Sequence, residues 1–177
     1  DKILCHYKQK NSNIILNKEK IKFSSVILSA IDEMRYLTAD KDIQIRFFDD
    51  SANDFIEADY IEIKRVINNL ISNAIEYSPV GSDIDIRLYN NSENVFCEIK
   101  DYGAGINLEK YGNIFDEYIT LSKEQKKIGF GLGLHICRSI ILAHGGNITI
   151  SSKPQRGTTI SFNIPLFSTI ETVKVEE

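Results

Sequence analysis

Asp59-Tyr-Ile-Glu-Ile-Lys-Arg-Val-Ile-Asn-Asn-Leu-Ile-Ser-Asn-Ala-Ile-Glu-Tyr77 is the stretch on which the architecture turns. Ile63, Val66, Ile67, Leu70, Ile71, Ala74 and Ile75 recur at three- and four-residue steps, the spacing that lines up side chains on one face of an α-helix. Asp59 is suited to cap the first turn, and Glu62 three residues later completes a capping-box-like start. Pro79 and Gly81 end the helix. Asn69 and Asn73 lie four apart and share a face that the apolar stripe leaves free. A helix this long with a single apolar face needs a second layer to cover it.

The flanking sequence supplies that layer. Downstream, Asp83–Tyr89 alternates, Asn90–Asn94 is turn-forming, and Val95–Lys100 runs back, which is a hairpin signature. Residues 107–118 read as short helical segments and 119–130 as a polar, Lys-rich loop. Leu132–His144 reads as a helix closed by Gly145-Gly146. Asn147–Ser152 and Thr158–Pro165 pair across Lys153–Gly157 as a final hairpin. Upstream, Ile21-Lys-Phe23 reads as a short strand, with Ser24 and Ser25 as cap candidates for a helix carrying Val26, Ile27, Ala30, Ile31, Met34 and Leu37. Ile43–Phe47 and Phe55–Ala58 read as further strands. The pattern predicts an α+β two-layer sandwich: a mixed, mostly antiparallel sheet of about five strands, covered on one face by three main helices. Residues 1–20 read as a linker or the stub of a preceding helix, 21–167 as the domain, and 168–177 as a polar tail.

Composition agrees with one globular unit. The chain has 177 residues, of which 42% are hydrophobic, and a net charge of −4. That charge gives no reason to expect a nucleic acid or an anionic membrane as partner. No apolar run approaches the ~18 residues of a membrane helix, and no signal peptide opens the chain. Cys5, Cys97 and Cys137 have no metal-type spacing and suggest reduced thiols in the cytosol. A start at Asp1 suggests a piece of a longer protein, with room for a membrane sensor upstream.

Four motifs carry chemistry. The paired amides of Asn69 and Asn73 offer hard, neutral oxygens suited to Mg²⁺; a pair of surface asparagines is the plain alternative. Asp101-Tyr-Gly103-Ala-Gly105 ends the first hairpin, and its carboxylate can accept from an amine; a strand-ending turn is the alternative. Gly129-Phe-Gly131-Leu-Gly133-Leu134 precedes a helix, where backbone N–H groups and the helix dipole favour phosphate oxygens. It is not a Walker A loop, since no Lys-Ser/Thr follows the last glycine. It is not a Rossmann fingerprint either, because a polar loop precedes it. Gly157-Thr158-Thr159 is the fourth.

In this order the four motifs resemble the ATP-binding catalytic domain of sensor histidine kinases, whose Bergerat-type fold is shared with DNA gyrase, mismatch-repair ATPases and certain heat-shock chaperones. The resemblance covers roughly residues 21–165. It implies that Asn73 is the magnesium ligand with Asn69 assisting, as catalytic and metal-binding residues. It assigns Asp101 the adenine contact, Thr158 a supporting one through water, and Tyr77 a place beside adenine or ribose. Gly103, Gly105 and Ile106 follow in the same wall. Gly129, Phe130, Gly131, Leu132, Gly133 and Leu134 become the hinge of a lid at 119–128, with Lys123, Lys126 and Lys127 in reach of phosphates. Phe115 and Tyr118 resemble the aromatic box under that lid.

The departures are as informative. Gyrase-like ATPases carry Glu where this chain has Asn69, and an amide cannot serve as general base. Glu76 and Thr120 stand where many relatives carry Lys and Arg. None of His6, His135 and His144 sits in the acceptor context; His135 is expected at the outer edge of the pocket and His144 as a cation or cap at a helix C-terminus. The expected activity is transfer of the γ-phosphoryl of Mg-ATP to a histidine on a separate dimerisation domain, and from there to a response regulator. The full-length protein would be a homodimer, and this domain a monomer on the cytoplasmic side. The alternative is a degenerate nucleotide-binding regulatory module without transfer.

Overall fold

The computed structural model describes residues 15–111, 114–115 and 133–168. In chain order the elements are β1 (Glu19–Lys22), α1 (Phe23–Glu33), α2 (Arg35–Asp40), β2 (Gln44–Asp49), β3 (Phe55–Ala58), α3 (Tyr60–Tyr77), β4 (Asp83–Asn90), β5 (Asn94–Asp101), α4 (Leu108–Tyr111), α5 (Gly133–Ala143), β6 (Asn147–Ser152) and β7 (Thr158–Pro165).

Five strands form one sheet in the order β2-β4-β5-β7-β6. β2 runs parallel to β4, and every other neighbouring pair is antiparallel. Parallel neighbours need a crossover, and β3 with α3 supplies it. Alternation places Ile84, Ile86, Leu88, Val95, Cys97, Ile99, Ile160, Phe162 and Ile164 on one buried face. The apolar stripe of α3 closes over it, and α3 packs against both α1 and α5. Ile63, Ile67, Leu70 and Ile71 are fully buried, each contributing about 1.5–3 kcal/mol relative to exposure. The mixed sheet with three main helices is the architecture that the pattern predicts.

The N-terminal third departs from expectation. β1 pairs with β3 in a separate two-stranded sheet, a pairing across more than thirty residues that no local pattern announces. Phe23 is not strand but opens α1, buried against Phe162 in an edge-on contact at 5.9 Å. Neither Ser24 nor Ser25 caps that helix: its N-cap is Lys22, which makes no side-chain cap bond. Asp54 does the capping from across the chain. The Ser24 N–H donates to Asp54 Oδ2 (2.8 Å) and the Phe23 N–H to the Asp54 carbonyl (2.9 Å). The helix expected to run through Leu37 breaks at Met34 into α1 and α2.

Asp59 caps α3 as expected, accepting from the N–H groups of Ile61 (3.1 Å) and Glu62 (3.2 Å). The return bond of a capping box does not come from Glu62. Instead the Asp59 N–H donates to His144 Nε2 at 3.0 Å. His144 Nδ1 lies 2.8 Å from the Ile140 carbonyl, so it carries the proton and donates. His144 does cap its own helix, but it is buried, and burial pushes its pKa below the usual histidine value. It is a neutral bracket between the end of α5 and the start of α3, not a helix-end cation. At the other end of α3, Lys41 Nζ donates to the carbonyls of Ile75 (2.7 Å), Glu76 (2.8 Å) and Ser78 (3.3 Å).

Candidate functional site

A cavity opens between the helical layer and the sheet. It is lined by Leu70, Asn73, Ala74 and Tyr77 of α3, Ile99 and Asp101 of β5, Ala104, Gly105 and Ile106, Leu134 of α5, Ile150 of β6, and Thr158 and Ile160 of β7. Its volume is about 70 Å³, and it opens to solvent. Most of the wall is aliphatic. Polar groups converge at one end, where β5 and β7 carry Asp101 and Thr158.

Asp101 is buried, and desolvation raises its pKa against the bonds that stabilise the charged form. Those bonds come from the N–H groups of Gly103 (2.9 Å) and Thr158 (3.2 Å), both to Oδ1. Among the described residues no hydrogen bond reaches Oδ2, which leaves that oxygen to accept from a ligand. The 102–106 loop is tied down at both ends. The Ile106 N–H donates to Ser152 Oγ (2.8 Å), and the Gln155 N–H donates to the Ala104 carbonyl (2.6 Å).

The glycines in this loop make room for neighbouring backbone. A Cβ on Gly103 would stand 2.3 Å from the Tyr77 carbonyl, and one on Gly105, whose φ is +66°, would stand 2.0 Å from the Lys153 carbonyl. They let the loop pack against the end of α3 and against the β6–β7 turn; the contact is protein backbone to protein backbone.

Of the residues singled out in the sequence, Asn73, Tyr77, Asp101, Gly105, Ile106, Leu134 and Thr158 line this one cavity. Gly103 and Gly133 stand beside it without lining it, Gly133 as the first residue of α5. Asn69 lies one turn before Asn73, outside the cavity lining; nearby, the Cys137 thiol of α5 donates to the Val66 carbonyl at 3.9 Å. Burial pushes that thiol up to about 12, so it stays protonated. Glu76 is exposed and does not line the described cavity. Phe115 is buried in the core, and its carbonyl lies 3.3 Å from His135 Nδ1. His135 is likewise absent from the cavity lining. Gly129, Phe130, Gly131, Leu132, Tyr118, Thr120, Lys123, Lys126 and Lys127 lie outside the described residues, as does His6.

Sequence reasoning missed Ser152. Its hydroxyl meets the Gly157 carbonyl (2.9 Å), Thr158 Oγ1 (2.9 Å) and the Ile106 N–H (2.8 Å). A serine ending a strand carries no local signal of such a role. The apolar walls Ile99, Ile150 and Ile160 were legible as core but not as cavity.

Among the described residues no group of three or more His, Cys, Asp or Glu side chains could hold a metal ion. None of the described helices is long and apolar enough to cross a membrane.

The two-layer fold with a cavity between α3, β5 and β7 that carries Asp101 and Thr158 defines the class, and comparison with known proteins sharpens it. Residues 58–168 match the family described as Histidine kinase-, DNA gyrase B-, and HSP90-like ATPase. The adaptive-response sensory kinase SasA of Microcystis aeruginosa is 38% identical over 113 residues, which is 63% of this chain and 29% of SasA. The chain thus spans under a third of that relative's length. The catalytic domain of histidine kinase ThkA superposes with a TM-score of 0.74 at 29% identity, covering 84% of this chain and 95% of that one. ThkA solved in complex with the response regulator protein TrrA superposes at 0.76, with 26% identity over 94% of this chain and 47% of that one. The chain belongs to this ATPase family, as a catalytic domain of the sensor histidine kinase type.

Proposed function

We propose that this domain binds Mg-ATP and donates its γ-phosphoryl to a histidine on a separate dimerisation domain of the same protein. The phosphoryl then passes to a response regulator, the kind of partner seen with ThkA. The observation that carries the reading is the polar end of the cavity. There the Asp101 carboxylate and Thr158 Oγ1 offer acceptors above aliphatic walls, a surface matched to the exocyclic amine and flat rings of adenine. ATP is a cytoplasmic substrate, which places this domain on that side of any membrane the parent carries.

The donor set fits magnesium that arrives with the nucleotide. A protein cage of carboxylates is absent among the described residues, whereas Asn73 presents an amide in the cavity wall. Mg²⁺ keeps much of its water and accepts one or two protein oxygens beside phosphate. Asn73 would hold it, with Asn69 one turn back on the same helix. Bound there, the ion would neutralise charge on the phosphates. The chain's own residues bind and orient: the aliphatic walls exclude water from the base, and Asp101 fixes its rotation. Position 69 carries an amide, which takes no proton, so the attacking group has to be activated elsewhere.

Calorimetric titration with ATP, with and without Mg²⁺, tests the reading on wild type and Asp101→Asn. Magnesium-sensitive binding that the substitution abolishes supports it; a wild type that binds no ATP sinks it. Phosphate incorporation by the domain joined to its acceptor hairpin then separates a kinase from a regulatory module. Steady hydrolysis by the domain alone would point instead to a gyrase-type ATPase.

A further inference from the structure

The hydroxyl of Ser152 has one proton and three close neighbours. The Gly157 carbonyl, 2.9 Å away, can only accept, and the Ile106 N–H, 2.8 Å away, can only donate. The third neighbour, Thr158 Oγ1 at 2.9 Å, can do either. Only one arrangement makes all three contacts attractive: Ser152 donates to Gly157, and Thr158 donates to Ser152. The proton of Thr158 is therefore turned away from the cavity that this residue lines, and its lone pairs are what a ligand meets. Nearby backbone donors are occupied too, since the N–H groups of Gly103 and Thr158 both go to Asp101.

We infer that Ser152 is a specificity-determining positioning residue: by holding the Thr158 proton, it makes the polar end of the cavity accept and not donate, and so selects a 6-amino purine over a 6-oxo purine. The inference rests on the nucleotide reading above and names the residue that sets base choice within it. Asp101 alone cannot set it, because a hydroxyl free to rotate beside it would donate to an oxo group as readily as it accepts from an amine. Ser152 does not line the cavity and acts only through Thr158 and Ile106.

The test measures ATP and ITP affinities by calorimetry on wild type, Ser152→Ala and Ser152→Thr. ITP carries an oxo group where ATP carries the amine. Wild type is expected to favour ATP. Ser152→Ala frees the Thr158 hydroxyl to donate, so the ATP-to-ITP ratio is expected to fall about five- to tenfold, the worth of one neutral hydrogen bond. Ser152→Thr keeps the hydroxyl and is expected to retain the wild-type ratio. If the alanine variant fails to fold, Ser152→Cys keeps a side chain of similar size without a strong donor, and the same fall is expected of it. Equal weakening of both nucleotides, with the ratio unchanged, would show a merely structural role and overturn the inference while leaving ATP binding intact. A wild type that binds neither nucleotide would overturn the nucleotide reading and this inference with it.

Discussion

Asp101 illustrates how a single residue can be set for a ligand at the expense of the fold. Burial raises its pKa, so the charged form is the less stable one in the folded chain. A raised carboxyl contributes stability that is fully present below the ordinary value of about 3.8 and is lost as pH climbs through the raised value. Ionisation of Asp101 therefore works against folding. Asn at this position keeps an oxygen for the Gly103 and Thr158 N–H groups and removes the charge. Asp101→Asn is expected to keep or raise the thermal midpoint at pH 7.5 while weakening ATP binding by about a hundredfold or more, as loss of a charged acceptor predicts. Thermal unfolding and calorimetry on the same sample check both halves; a variant that loses binding because it melts early contradicts this account. Asp101 and Thr158 were legible in the sequence because each sits beside glycines at a strand boundary. Ser152 was not, since its partner Ile106 lies 46 residues away and only the closed sheet brings them together.

Among the elements, α3 is held at both ends by residues far from it in sequence. Lys41 gathers three carbonyls at its C-terminus, just beyond Tyr77 of the cavity wall. Lys41→Met keeps the aliphatic stem and removes the donors, and is expected to cost about 1–2 kcal/mol in urea denaturation, in line with charged hydrogen bonds at a helix end. At the N-terminus the neutral His144 accepts from the Asp59 N–H, and Lys18, Asp59 and Glu62 are the charged groups acting on it. Its pKa is lowered by burial, so the unfolded chain binds the proton more readily. The stability it contributes is present above about pH 6.5 and is lost as pH falls through the depressed folded value. Urea midpoints are expected to fall between pH 7 and pH 5, with a shallower slope in His144→Gln; identical slopes would remove His144 as the cause. The body of α3 was readable from its stripe, and so was the Asp59 cap. Its other fastenings were not, because Asp59 and His144 are 85 residues apart and Lys41 carries no cap signature where it stands. The start of α1 failed to read for the same reason: two serines offered a local cap, while Asp54 supplied a distant one.

For the whole molecule, the cavity sits where the two layers meet, so a ligand there touches both. A nucleotide that binds only the folded chain adds about 2.7 kcal/mol at a hundred times its dissociation constant. For a chain of this size that is roughly a 5–10 °C rise in thermal midpoint. Scanning fluorimetry with saturating Mg-ATP should show the rise in wild type and not in Asp101→Asn; no shift in wild type would contradict ligation at this site. The layer architecture was legible because period-2 and period-3.6 patterns separate cleanly from residue 59 onward. The cavity itself was not, because aliphatic residues that line a void and those that fill one look the same in sequence.

One consequence concerns chain length. Surface loops ordinarily tolerate extra residues, since ordering them costs little once the elements they join are in place. The loop at 102–106 and the turn at 153–157 are denied that freedom, because each is the other's hydrogen-bonding partner, through Gln155 to Ala104 and Ile106 to Ser152. One residue inserted in either would shift its donors out of step with the other's acceptors and tilt Asp101 away from Thr158. These two connections are therefore measured to a fixed count.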